Sequence, residues 1–277
     1  MDNNIKAVAR IRTDFPEKFG IPRQPGVVTE LKGRIVFEPE FRNPDMIRGL
    51  EDFSHIWLIW QFSKNLDEEG NVRWTPTVRP PRLGGNTRLG VFATRSPFRP
   101  NPLGLSVVEI DSIETDTPEG PVIHVKGADM VDGTPIYDIK PYIPYADSIP
   151  EAKGGFTEST EYKTLKVVWG INGKIVYDVY DKTIINDKEK TIPGDNSAVQ
   201  GVIDEERKHQ NALESVEVDD IPEEIRESLE KILSNDPRPH YQNDSERVYG
   251  MSFAGYEVKF KVVGDEVNII GVFKTCT

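Results

Sequence analysis

The chain has 277 residues, with 34 Lys+Arg against 46 Asp+Glu, a net charge of −12, 37% hydrophobic residues and one cysteine. That length can bury one large core or two modest ones, while a lone Cys276 excludes a disulfide framework and a CxxC zinc site. No apolar run approaches the roughly 20 residues that span a bilayer, and Met1 to Lys6 has no basic stretch leading into an apolar one, so a soluble cytoplasmic protein is expected.

In chain order, Ala7–Arg12 and Gly33–Phe37 alternate as half-buried strands do. Asn43–Leu50 predicts a short helix with Pro44 at its first position. Phe53–Phe62 is rich in aromatic and β-branched residues and reads as a buried strand, and Gly90–Thr94, Gly104–Ile110 and Val122–Gly127 continue the series. Many short strands separated by Pro and Gly turns predict a closed or nearly closed β-barrel over residues 1–150. Ser148–Thr160 reads as a linker. Beyond it, strands at Leu165–Trp169 and Lys174–Tyr180 flank an Asn172-Gly173 turn. Helices are expected at Asp204–Ser215 and Pro222–Leu233, and strands at Arg247–Ser252, Glu257–Val263 and Val267–Phe273. Residues 151–277 are therefore expected to form a small α+β domain.

Charge is segregated along this chain. Between Gly70 and Val108 there is no Asp, Glu or Lys but six arginines, Arg73, Arg79, Arg82, Arg88, Arg95 and Arg99, whereas Ile185–Asp236 carries fifteen acids against six bases. Such a distribution steers a polyanion to one face, or else scatters arginines over loops for solubility. Common catalytic signatures are missing: no GxGxxG after a strand, no GxxxxGK[ST], no GxSxG, and no metal spacing among His55, His124, His209 and His240.

Five blocks remain. VRPPRLGGNTRLGVFATRSPFRPNPLGLS, residues 78–106, presents arginines from a Pro/Gly-stiffened loop, which suits bidentate anion binding or, more blandly, pairing with abundant acids. GADMVDGTPIYDIKPYIPYADS, residues 127–148, holds a DGTP turn and crowds Asp129, Asp138 and Lys140 together; an Asp–Lys pair on a strand is the plain alternative. In EKFGIPRQPG, residues 17–26, Arg23 and Gln24 are bracketed by prolines and pre-organised. RGLEDFSHIWLIWQF, residues 48–62, sets His55 among apolar neighbours, as a satisfied core histidine or a functional one. LSNDPRPHY, residues 233–241, follows a helix and either ends it or contributes polar groups.

These motifs resemble the TsaA-like, or TrmO, family of S-adenosylmethionine-dependent methyltransferases acting on N6 of threonylcarbamoyl-adenosine beside the tRNA anticodon. The resemblance covers residues 5–150 and resumes at LSNDPRPHY and VYGMSF (248–253), with extra residues between about 165 and 203. It implies a mainly β fold, with a non-Rossmann β-barrel methyltransferase domain and a small α+β C-terminal domain, assembled as a homodimer. It further implies that Pro22, Arg23, Gln24, Ser63, Lys64, Arg95, Leu105, Asp129, Met130 and Val131 line the cofactor site, without a metal. Arg82, Arg88, Arg99, Arg238 and Tyr241 are the expected contacts to tRNA phosphate or the threonyl carboxylate. An activated sulfonium methyl needs positioning rather than a nucleophile, and positioning can supply roughly 7–11 kcal/mol. A non-catalytic RNA- or nucleotide-binding barrel and a small-molecule enzyme are the rival readings.

Overall fold

A computed structural model describes residues 5–67, 69–83, 86–158, 164–170, 214–238 and 244–275. The expected Gly84-Gly85 turn, the Asn172-Gly173 hairpin with its second strand, most of the expected 204–215 helix, His240, Tyr241 and Cys276 lie outside them. Two compact units emerge: residues 1–165 with 227–243, and residues 166–226 with 244–277.

The first unit is a closed barrel of β1 (Ala9–Thr13), β2 (Lys32–Phe37), β3 (His55–Gln61), β6 (Leu103–Glu114), β7 (Val122–Lys126) and β8 (Pro135–Pro141), in the order β1-β2-β7-β6-β3-β8 with every pairing antiparallel. A two-stranded ribbon, β4 (Thr77–Val78) and β5 (Leu89–Gly90), stands apart. Alternation decides which side chains enter the barrel. Ala9 and Ile11 from β1, Ile35 and Phe37 from β2, and Ile56, Leu58 and Trp60 from β3 meet Val108, Ile123, Val125 and Ile136 in one core. Each such aliphatic side chain contributes about 1.5–3 kcal/mol on burial. Sequence expectation and structure agree on five of these strands. The sixth, β8, lies where the charged and turn-rich 127–148 block obscures its alternation.

Two short segments differ from expectation. Residues 90–94 do not extend as a strand: β5 ends at Gly90, and Val91–Ala93 close into a 3-10 turn because the Thr94 N–H (3.1 Å) and hydroxyl (2.9 Å) both donate to the Val91 carbonyl. The expected helix after Asn43 is also a 3-10 turn, Pro44–Ile47, capped by the Asn43 side chain accepting from the Asp45 N–H at 3.0 Å. A register shift between β3 and β8 at Ile59/Trp60 locally re-aims that end of β3.

In the second unit β10 (Glu214–Ser215), β13 (Glu266–Lys274), β12 (Tyr256–Val263) and β11 (Tyr249–Phe253) run antiparallel. β9 (Lys166–Trp169) joins the edge of β13 in parallel beside its first residues. Met251, Val258, Phe260, Val262, Val267, Ile269 and Val272 are buried there. Glu223–Ser234 is helical as expected; its residues from Glu227 onward belong to the first unit, and its apolar stripe is buried at Leu229, Ile232 and Leu233. No described helix is long and apolar enough to cross a membrane.

Candidate functional site

On β6 the exposed Leu103 and Leu105 alternate with the inward Gly104 and Ser106. The indole of Trp60, opposite Gly104 on β3, lies so close that a Cβ there would come within 2.2–2.7 Å of it. The Phe62 ring packs against the same indole in a T-shaped arrangement, centroids 4.4 Å apart. Held in this way, Trp60 Nε1 donates to Ser106 Oγ at 3.0 Å, and Ser106 Oγ donates to Asp129 Oδ1 at 2.7 Å. Ser106 is 1% exposed, so its hydroxyl is satisfied inside the barrel wall. Burial pushes the Asp129 carboxyl up to about 6, a rise opposed by the Ser106 hydrogen bond, its own backbone N–H and the positive charge of Arg95.

The proline-bracketed loop lies against the same turn. Gly26 N–H donates to the Gly127 carbonyl at 3.0 Å, and a Cβ on Gly127, whose φ is +75°, would stand 3.2 Å from Gly26 Cα. Pro22 is buried beneath this loop. Gln24 Oε1 accepts from Arg95 Nη1 at 2.5 Å, and Arg23 Nη2 donates to the Arg238 carbonyl at 2.6 Å. Met130 and Val131 bury their side chains and present main chain instead. Their carbonyls accept from the Thr13 and Thr134 hydroxyls at 2.9 and 2.7 Å, while their N–H groups donate to no acceptor among the described residues. Gln24, Arg95, Asp129 and the turn at 130–131 thus converge, with Leu105, 54% exposed, beside Ser106 on β6.

Ser63 and Lys64 sit in a 3-10 turn after β3, and Lys64 accepts from Lys18 Nζ through its carbonyl at 2.5 Å. No hydrogen bond or ion pair among the described residues joins them to Gln24, Arg95 or Asp129. Arg88 precedes β5 and reaches the Thr77 hydroxyl at 3.1 Å; Arg82 is in the turn Pro81–Leu83. Arg99 folds back on its own loop, donating to the carbonyls of Thr94 (2.9 Å) and Ser96 (3.3 Å) and lying 5.8 Å from the centroid of the Phe92 ring. Arg238 is 7% exposed and grips both oxygens of Asp236 at 2.8 and 2.9 Å. Tyr241 lies outside the described residues. Of the residues with two readings, Asp138 pairs with Lys140 on β8 at 2.7 Å, the plain alternative. His55 is half-buried, its Nδ1 2.9 Å from the Ser54 hydroxyl.

Sequence reasoning passed over Ser106 and Trp60. The signal was there: a hydroxyl at an inward position of an otherwise apolar strand needs a polar partner inside. Asn65, 3% exposed, was passed over too; its Nδ2 ties the carbonyls of Arg73 (2.8 Å) and Pro97 (2.7 Å) and so joins two stretches of the arginine-rich segment. A separate concavity of about 250 Å³ is lined by Arg12, Lys32, Arg34, Asp111 and His124. Its charges are matched by Arg12–Asp132 (3.5 Å), Arg34–Glu119 (2.7 Å) and His124–Glu114 (2.5 Å), as on a solvated ion-pair face. No described group of three or more His, Cys, Asp or Glu could hold a metal ion.

Two family models match separate stretches of the chain. Residues 10–148 match the model of the tRNA-methyltransferase O N-terminal domain, and residues 203–275 that of the TrmO C-terminal domain. The tRNA (adenine(37)-N6)-methyltransferase of Escherichia coli (strain K12) is 45% identical over 155 residues, 56% of this chain and 64% of that protein, so the match spans less than two thirds of the relative. The protein of the same name from Eikenella corrodens is 35% identical over 76% of this chain and 91% of its own length. A crystal structure of TrmO from Pseudomonas aeruginosa superimposes with a TM-score of 0.63 at 27% identity, covering 98% of each chain. With its six-stranded barrel and family matches over residues 10–148 and 203–275, the chain belongs to the TrmO family.

Proposed function

We propose that this chain is an S-adenosylmethionine-dependent methyltransferase that modifies N6 of threonylcarbamoyl-adenosine next to the tRNA anticodon, working as a cytoplasmic homodimer. The observation that carries the reading is the convergence of Gln24, Arg95 and a clamped Asp129 around the two main-chain N–H groups of Met130 and Val131, which meet no acceptor among the described residues, beside the exposed apolar Leu105. That set fits the proposed cofactor. A carboxylate meets an ammonium or ribose hydroxyls, an arginine meets a carboxylate, and amides with an apolar side chain suit an adenine edge and face. Relatives named for tRNA adenine-37 N6 methylation support the acceptor.

The cofactor supplies an activated methyl group. This chain's residues supply placement: the stiff 22–25 loop and the 129–131 turn orient the donor, and Arg95, fixed by Gln24, keeps positive charge beside Asp129. Arg82 and Arg88, from the segment without acids, take the RNA backbone. Arg99 and Arg238, whose guanidinium groups bind within the chain, act as braces. A target base splayed from its loop suits single-stranded RNA recognition.

Nucleoside mass spectrometry of tRNA incubated with the protein and methyl-labelled cofactor tests the reading. The expected product is labelled N6-methyl-threonylcarbamoyl-adenosine. Unlabelled tRNA, together with no calorimetric heat on adding the cofactor, would leave an RNA-binding barrel instead. Analytical ultracentrifugation checks the dimer.

A further inference from the structure

The chain of hydrogen bonds through Trp60, Ser106 and Asp129 has a fixed direction. An indole N–H only donates, so Ser106 Oγ accepts from it at 3.0 Å and turns its own proton to Asp129 Oδ1 at 2.7 Å. Oδ1 is therefore held as an acceptor in either charge state, and a proton taken up by Asp129 resides on Oδ2. Among the described residues Ser106 is the one other side chain hydrogen-bonded to this carboxylate. The charged group that acts on it is Arg95, from the loop after β5. From β3 and β6 come the neutral Trp60 and Ser106, and the nearby Asp132 faces the Thr13 N–H (3.1 Å) and Arg12 (3.5 Å).

Resting on the cofactor reading above, we infer that Ser106 and Trp60 are positioning residues: they lock Oδ1 of Asp129 so that Oδ2 accepts a hydrogen bond from a donor of the bound cofactor, a ribose hydroxyl or the ammonium group. The physical reason lies in the desolvation of this carboxylate. One neutral donor of fixed polarity keeps it ionised at neutral pH and stops it rotating, without a second cation that would compete with the ligand. The hydroxyl also lowers a titration that burial has raised, so its loss moves that titration further up.

The test starts with the ligand-free protein. The carboxyl ¹³C signal of Asp129, assigned with Asp129→Asn, is titrated in the wild type, Ser106→Ala, Ser106→Thr and Trp60→Phe, with circular dichroism confirming the fold. Ser106→Ala is expected to raise the midpoint by about one pH unit, Ser106→Thr to restore it, and Trp60→Phe to raise it less. Calorimetry with S-adenosylmethionine then follows binding from pH 5.5 to 8.5. Wild-type affinity falls about tenfold per pH unit below its midpoint, whereas Ser106→Ala is about twofold weaker at pH 7, more so at lower pH, and regains that loss by pH 8.5. 5′-Methylthioadenosine, which has the ribose but no ammonium, shows the same dependence if the ribose is the donor and none if the ammonium is.

An unchanged midpoint in Ser106→Ala, or a loss of affinity equal at every pH, overturns the inference. A wild type that binds no S-adenosylmethionine at any pH instead removes the cofactor reading, and with it the ligand half of this inference; the titration of the free protein still decides the relay.

Discussion

The Arg23 guanidinium donates to the main-chain carbonyl of Arg238, 2.6 Å away and 215 positions later in the sequence. Arg238 is held in turn by its two-point grip on Asp236, which sits at a left-handed φ of 47°. The turn ending at Arg238 therefore acts on the proline-bracketed loop through the backbone. Arg238→Ala is expected to weaken S-adenosylmethionine binding about three- to tenfold. The salt slope of tRNA affinity should stay unchanged, because the guanidinium faces Asp236 rather than a phosphate. Calorimetry and a salt titration separate the two outcomes.

Asp129 carries a stability consequence with a definite sign. Its folded carboxyl titrates at about 6, raised mainly by burial, above the ordinary range near 4 of an unfolded chain. The native state therefore binds more protons between those values, and stability falls as pH rises from about 4 to about 6, then stays lower. Asp129→Asn should be more stable than wild type at pH 8, by about 3 kcal/mol from the size of that shift, and flat across the window. Urea denaturation at pH 4, 6 and 8 measures this. Cofactor binding should be lost in the same variant.

Gly104 is expected to tolerate no side chain, since an added Cβ meets the Trp60 ring at 2.2–2.7 Å. Gly104→Ala should cost about 1–3 kcal/mol by overpacking. By displacing the indole, it should also shift the titration of Asp129 as Trp60→Phe does. Urea midpoints at unchanged m-value report the first effect and the ¹³C titration the second.

Among the described residues Arg88 holds a single hydrogen bond, to the Thr77 hydroxyl, on the exposed side of the β4–β5 ribbon. If it contacts one RNA phosphate, Arg88→Ala weakens tRNA binding and lowers the log–log salt slope by about 1. S-adenosylmethionine affinity should not change. A filter-binding series over salt concentration gives both numbers.

Alternation made the barrel legible: Ala9/Ile11, Ile35/Phe37, Ile56/Leu58 and Ile123/Val125 each advertise an inward face. β8 was harder to read because Asp138 and Lys140 mimic a functional cluster while satisfying each other. Among the candidate residues, the Pro-flanked Arg23-Gln24 pair and the DGTP turn were legible through backbone stiffness. Ser106 did not, because a serine is informative only once its inward register is known. Arg99 and Arg238 show the opposite difficulty. An arginine's sequence context reveals its charge but not whether a carbonyl or a carboxylate of the same chain already occupies its fork.

The brace on Arg23 has a consequence for how this protein is made. Residues 5–158 hold all six barrel strands, yet Arg238 and Asp236, which seat the Arg23 side chain, are translated some two hundred codons after the loop they support. A growing chain on the ribosome can thus close its barrel early and leave the Arg23 side chain unseated until synthesis is well past its midpoint. On the proposed function, competence to bind the cofactor is then acquired late, as a separate event from folding of the barrel.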